Sequence, residues 1–227
     1  MRAPLILLLF LTLAACARPL TPNETVLARA MFGDTLDTDK VKLSKGLLAG
    51  SFTYKRRARP RVTCSERLYP PIKEATVTVS PGAMAIFHRV KFREDLYHPD
   101  FMAGFPNQIT LPHAMLLAHE LTHVWQWQNR KTTGYHPLKA ASEHSQSDDP
   151  YLFETNTKTS FLDHGFEQQG AIVEEYLCCR TLAPKAKRTK RLHAMLSQSF
   201  PVADLDRQIA RSVILPWDGV TVPGICD

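Results

Sequence analysis

The alternation of apolar and polar positions divides the chain into three stretches. In the first, Thr21-Pro22-Asn23-Glu24 combines a capping-box pattern with proline at the first helical position, and Gly33 sits where a helix would end. This predicts a short helix from Pro22 to Phe32. From Val41 to His88 the pattern shortens to segments rich in β-branched and aromatic residues, with ATVTVS and AMAIFH on either side of Pro81-Gly82, a dipeptide suited to a type II turn. A small antiparallel sheet is expected there. In the third stretch Thr110 can cap a helix with Pro112 in its first turn, running to about Gln128 before Thr132-Thr133-Gly134 breaks it. Residues 135–160, rich in Ser, Asp, Thr and Pro, read as a long loop, and Asp163 or Gly165 can start a second long helix reaching about Cys179. The remainder reads as mostly helical, most periodically over Val202 to Ile214, with Pro216 and Gly219 marking its end. No internal repeat, low-complexity segment or interdomain linker interrupts the pattern.

Composition adds an ordinary globular core and an export signal. At 227 residues and 44% apolar, the chain is long enough for one domain with a real interior. Arg2 is followed by an almost uninterrupted apolar run, Leu5 to Leu13, then small residues and Cys16. That run is too short to span a bilayer as a permanent helix. Leu13-Ala14-Ala15-Cys16 resembles the lipobox of bacterial lipoproteins, which implies removal of residues 1–15, acylation of Cys16 and a single domain over 16–227. The alternative is an ordinary signal peptide with Cys16 merely nearby. Ala17, where an aspartate would retain a lipoprotein in the inner membrane, implies by the same analogy an outer-membrane anchor facing the periplasm.

Removing residues 1–15 leaves 27 basic side chains against 22 acidic ones, a net charge of about +5. The basic residues gather in YKRRARPR (Tyr54 to Arg61) and KAKRTKR (Lys185 to Arg191). Export argues against a nucleic-acid partner, the second run has no interleaved aromatics, and both are expected to form solvated faces. Cys64, Cys178, Cys179 and Cys226 make an even number in an oxidising compartment. Bridging the adjacent Cys178 and Cys179 needs a strained eight-membered ring, so each is expected to pair with one of Cys64 and Cys226.

The chemistry concentrates in LLAHELTHVWQWQ, Leu116 to Gln128. On a helix, positions four apart share a face, so His119 and His123 can aim two imidazole nitrogens at one point with Glu120 beside it. The surrounding Leu116, Leu117, Leu121, Val124 and Trp125 predict an interior helix, where unpaired ionisable groups are costly and a zinc ion would compensate them. A zinc hydrolase site needs a third protein ligand and an open fourth position. The best candidate is Glu167, 44 positions beyond His123, on a helical face shared with Ala171, Glu174 and Cys178. Gly170 on the neighbouring face would let the two helices approach closely.

His119-Glu120-Leu121-Thr122-His123 with Val124-Trp125-Gln126, together with Glu167 to Tyr176, resembles the bacterial gluzincin-like HExxH metallopeptidases often labelled Vgr-related proteins. The similarity runs from Leu20 to about Tyr176, including LTPNE and FGDTLD. It implies an α+β, zincin-like fold, mainly helical with a small antiparallel sheet and an HExxH active-site helix. It further implies His119, His123 and Glu167 as Zn2+ ligands and Glu120 as catalytic base. In typical gluzincins an aspartate four residues after the ligand glutamate steadies a histidine ligand. This chain has Ala171 there. Glu174, one turn further on, can replace that aspartate or serve as third ligand itself.

The implied function is hydrolysis of peptide or amide bonds at the cell envelope, on a peptide, protein or peptidoglycan-peptide substrate, with Glu120 moving the water proton. The alternative is a zinc-stabilised envelope lipoprotein that binds a partner and needs no Glu120. His164 and Tyr176 are candidate donors to a developing oxyanion. His88, His98, His113, His136, His144 and His193 lack partners at ligand spacing, and Trp125 and Trp127 read as core.

Overall fold

The computed structural model describes residues 17–47, 53–202, 205 and 212–227. Residues 1–15 and Cys16, where the export signal and lipobox are expected, lie outside them. The described chain is a mixed α/β structure of helices and small sheets, and no described helix is long and apolar enough to cross a membrane.

Helix α1, Pro22–Phe32, has the predicted bounds and the predicted cap. Thr21 Oγ1 accepts from the Glu24 amide at 3.2 Å, and the Glu24 carboxylate accepts from the Thr21 amide at 2.8 Å. Glu24 is fully buried, and it also takes two hydrogen bonds from the Arg18 guanidinium, at 2.7 and 2.8 Å, and one from the Phe101 amide. A local cap thus anchors distant chain, because every lone pair of a buried carboxylate needs a donor.

The strands are β1 (Lys42–Lys45), β2 (Tyr54–Arg57), β3 (Thr76–Val79), β4 (Ala83–Ile86), β5 (Arg89–Phe92), β6 (Gln108–Thr110) and β7 (Ser212–Ile214), with the short helix α2 (Cys64–Arg67) between β2 and β3. The expected single antiparallel sheet is instead two separate units. One is a mixed sheet in the order β1-β5-β4, with β1 parallel to β5; the other is an antiparallel ribbon of β2 and β3. Pro81-Gly82 therefore joins strands that do not pair, and Gly82 lacks the positive φ of a type II turn. Its missing side chain matters for another reason, since a Cβ there would lie 2.9 Å from Leu96 Cδ1. Alternation along a strand fixes which face is buried, not which strand lies alongside.

Four helices follow: α3 (Leu111–Gln128), α4 (Arg130–Thr133, closed by left-handed Gly134), α5 (Pro137–Gln146) and α6 (Phe166–Leu182). α3 ends where predicted. α5 corrects the long loop expected over 135–160. Pro137 opens it, the His136 imidazole accepts from the Leu138 amide, and Leu138, Lys139, Ala140 and Ala141 are good helix formers. The capping residue is outside the usual Ser, Thr, Asp and Asn set, so the start signal is weak. α7 (Lys187–Leu196) continues the helical tail, but Ser212–Ile214 of the predicted last helix is strand β7, parallel to β6. Residues 203, 204 and 206–211 of that prediction lie outside the described residues.

α3 packs chiefly against α6, with Leu117, Leu121 and Val124 buried on one and Ile172, Val173, Tyr176 and Leu177 on the other. Each fully buried aliphatic side chain contributes about 1.5–3 kcal/mol. Cys64 bridges Cys178 and Cys179 bridges Cys226, so each adjacent cysteine takes one distant partner and the end of α6 is tied to α2 and to the C-terminal segment. The basic runs are not wholly solvated faces. Arg59 forms a two-pronged pair with Asp149, while Arg188 is 6% exposed, pairs with Glu175 at 2.8 Å and donates to the Val62 and Asp227 carbonyls. A buried carboxylate such as Glu175 draws in a cation that solvent would otherwise hold.

Candidate metal centre

The middle of α3 is buried on nearly all sides, and it carries His119, Glu120 and His123 with exposures of 5%, 4% and 7%. α6 crosses it at Gly170, where a Cβ would come within 2.6 Å of the His119 ring. Only hydrogen fits there. That close approach brings Glu167, one turn earlier on α6, to the two imidazoles.

His119 Nε2 and His123 Nε2 are 3.1 Å apart, and Glu167 Oε2 lies 3.2 Å from the first and 3.3 Å from the second. A tetrahedral ion with N and O bonds of about 2.0–2.1 Å sets its ligand atoms roughly 3.3–3.4 Å apart. The donor set and spacing therefore fit a metal ion. Three electron-rich atoms this close need positive charge among them. In the chain alone, protons supply it: burial disfavours charged imidazoles, yet the carboxylates of Glu167 and Glu174 outweigh this and hold His119 well above its ordinary value. His123 is raised by Glu167 against the same burial, and the imidazoles in turn hold Glu167 well below the usual carboxylate range despite its burial.

Contacts behind the imidazoles orient them. The Gln126 amide nitrogen donates to the Phe166 carbonyl and to Gln169 Oε1, so its oxygen faces His123 Nδ1 at 2.9 Å and must accept from it. In its neutral form His123 then carries its single proton on Nδ1 and turns the Nε2 lone pair inward. Glu174 Oε1 is 2.6 Å from His119 Nδ1, a charge contact whose alignment falls outside hydrogen-bond geometry. Distance makes it an effective electrostatic partner all the same. Glu174 thus stands behind a histidine, as an aspartate at position 171 would, and Glu167 is the carboxylate that joins the two Nε2 atoms.

Glu120 faces the same space with Oε2 unbonded and buried, and burial raises its carboxyl pKa against the pull of His119 and His123. These groups open into a cleft of about 540 Å³, lined by β4, the start of α5, Tyr54, Tyr135 and Tyr151. Burial and the nearby Glu167 push both Tyr135 and Tyr151 far above the ordinary phenol range, so they stay neutral.

Two features of the site have no counterpart in the sequence reading. His144, which lacks a partner at ligand spacing, reaches Glu167 Oε1 with its Nε2 at 3.1 Å. Tyr151 contacts both the His119 and His144 rings, tilted to the first with centroids at 5.7 Å and edge-on to the second at 5.6 Å. Both belong to the stretch read as loop, and no local spacing marks them. Of the proposed oxyanion donors, Tyr176 meets His193 Nδ1 at 2.9 Å, and neither it nor His164 lines the cleft. His88, His98, His113, His136 and His193 also stay outside it; His98 and His113 stack on each other at 3.7 Å. The sulfurs of Cys64, Cys179 and Cys226 lie close together because they belong to the two disulfides.

No protein-family model matches the chain, and no curated protein matches it. A solved structure that does match is the effector domain of Pseudomonas aeruginosa VgrG2b, with 22% sequence identity and a TM-score of 0.50 over 83% of this chain and 86% of that one. At that identity the likeness speaks for a shared fold alone.

Proposed function

We propose that the chain is a zinc-dependent hydrolase of peptide or amide bonds, a zincin-like enzyme of gluzincin type, held at the cell envelope through acylated Cys16. The observation that carries this reading is the convergence of His119, His123 and Glu167 at an open cleft, beside Glu120 with its buried Oε2 free of hydrogen-bond partners. A structural metal site closes its coordination with protein side chains, whereas three protein ligands at an accessible cleft leave a position for water and substrate.

Zinc held by His119, His123 and Glu167 would supply Lewis-acid polarisation of a water and of the scissile carbonyl. Glu120 takes a proton from that water as its oxygen bonds to the carbonyl carbon. It then gives the proton to the leaving nitrogen as the C–N bond breaks, releasing an acid and an amine. Among the described residues β4 is an edge strand along the cleft, so that edge can pair with an extended substrate backbone.

The test is the mature chain with and without Glu120→Gln. The variant should keep stoichiometric zinc and its melting temperature while hydrolysis of a peptide library falls about a hundredfold or more. A zinc-loaded unmutated protein inactive on both peptide and peptidoglycan-peptide substrates, with Glu120→Gln leaving its cellular role intact, would favour the zinc-stabilised binder instead.

A further inference from the structure

We propose that His144 is a positioning residue for Glu167, donating from Nε2 to Glu167 Oε1 so that Oε2 stays aimed at the two histidines of α3. The proposal rests on the zinc reading above. A carboxylate that binds a metal through one oxygen can still turn about its terminal torsion, and a donor on the second oxygen removes that freedom. His144 Nε2 stands at 3.1 Å from that second oxygen, while Oε2 faces His119 and His123.

The neighbouring residue fixes the backbone of the same ligand. Glu143 accepts from the Phe166 amide at 2.8 Å and the Glu167 amide at 3.0 Å, satisfying two of the unpaired donors at the start of α6. Gly165 leaves the space for it, since a Cβ there would stand 3.1 Å from Glu143 Oε1. The pair Glu143-His144 therefore grips Glu167 at main chain and side chain together. The ring of His144 is itself placed by Tyr151, whose loop is pinned by the ion pair of Asp149 with Arg59. The basic run at Tyr54 to Arg61 thereby acquires a use, because it holds the loop that holds the residue that aims the ligand.

A second account gives His144 a different job, as a donor to the substrate oxygen, since it also lines the cleft. The two differ in what they do to metal affinity. His144→Phe keeps the ring and removes the donor; His144→Gln restores a neutral N–H near the Nε2 position. Zinc dissociation constants are measured by competition with a chromophoric chelator, and folding of the zinc-free variants by circular dichroism. The expected result is about 10- to 100-fold weaker zinc binding for His144→Phe, with His144→Gln recovering most of it. Cobalt(II) spectra of the three proteins should show the same order of departure from the unmutated site.

Equal zinc affinity in the unmutated protein and His144→Phe would overturn the proposal, whatever happens to kcat. Equal weakening by Phe and Gln would overturn it too, because the hydrogen bond would not be the cause. An unmutated protein that takes up no zinc would defeat the parent reading, which separates that failure from this one.

Discussion

Glycine inside a helix ordinarily costs stability, so replacing it with alanine at an exposed site stabilises by up to about 1 kcal/mol. Gly170→Ala should do the reverse. The new Cβ would stand 2.6, 2.7 and 2.8 Å from Cε1, Nε2 and Nδ1 of His119. Comfortable contact between such atoms is about 3.5–4.0 Å, so α6 must retreat or the imidazole must turn by about 1 Å. Turning the ring breaks its contacts with Glu167 and Glu174, and a retreating α6 carries Glu167 away from both histidines. Overpacking of this kind costs about 1–3 kcal/mol, which offsets the helical gain and leaves a net loss of about 0–2 kcal/mol without metal. With zinc the loss should be larger, because one displaced ligand weakens binding about tenfold for each further 1.4 kcal/mol. Thermal unfolding with chelator and with excess zinc, alongside a zinc titration, separates the two parts. A Gly170→Ala protein that binds zinc like the unmutated one and melts higher in both conditions would refute the close-approach argument.

Zinc competes with protons for His119 and His123, so the rise in melting temperature on adding zinc should grow from about pH 5.5 to about pH 8. The metal-free cluster runs the other way. Its raised imidazoles stabilise the fold fully below the ordinary histidine value and lose that contribution as pH climbs through their raised values, while Glu167 loses its own only as pH falls through its lowered value. A zinc increment that is flat or shrinks with pH would count against a histidine-ligated ion. Non-reducing peptide mapping should recover Cys64 joined to Cys178 and Cys179 joined to Cys226, and reduction should lower the melting temperature, each bridge contributing up to about 4–5 kcal/mol by loop closure; four alkylatable thiols in the native protein would contradict it. Cys16→Ser should abolish acyl labelling and release the protein from membranes, and a variant still in the membrane fraction, with no lipid on the unmutated protein, would dismiss the lipobox reading.

The sequence by itself determined what depends on neighbours within a turn or two of chain. The capping box at Thr21 and Glu24, the end of α3 at Gln128 and the shared face of His119 and His123 all follow from helical geometry over short spans. The split of the adjacent cysteines was legible for the same reason, since ring strain between neighbours is a local fact. Tertiary structure decided the rest. Which cysteine met Cys64, whether β1 lay beside β5 or β2, and whether Ser212 to Ile214 coiled or paired with β6 were settled by partners far away in sequence. The site divides along the same line. Its first two donors stand on one helix and announce each other, whereas His144 meets Glu167 across 23 residues and Glu174 finds His119 across the packing of α3 on α6. Helical periodicity orients a side chain, but only the packing of one element on another says what it will touch.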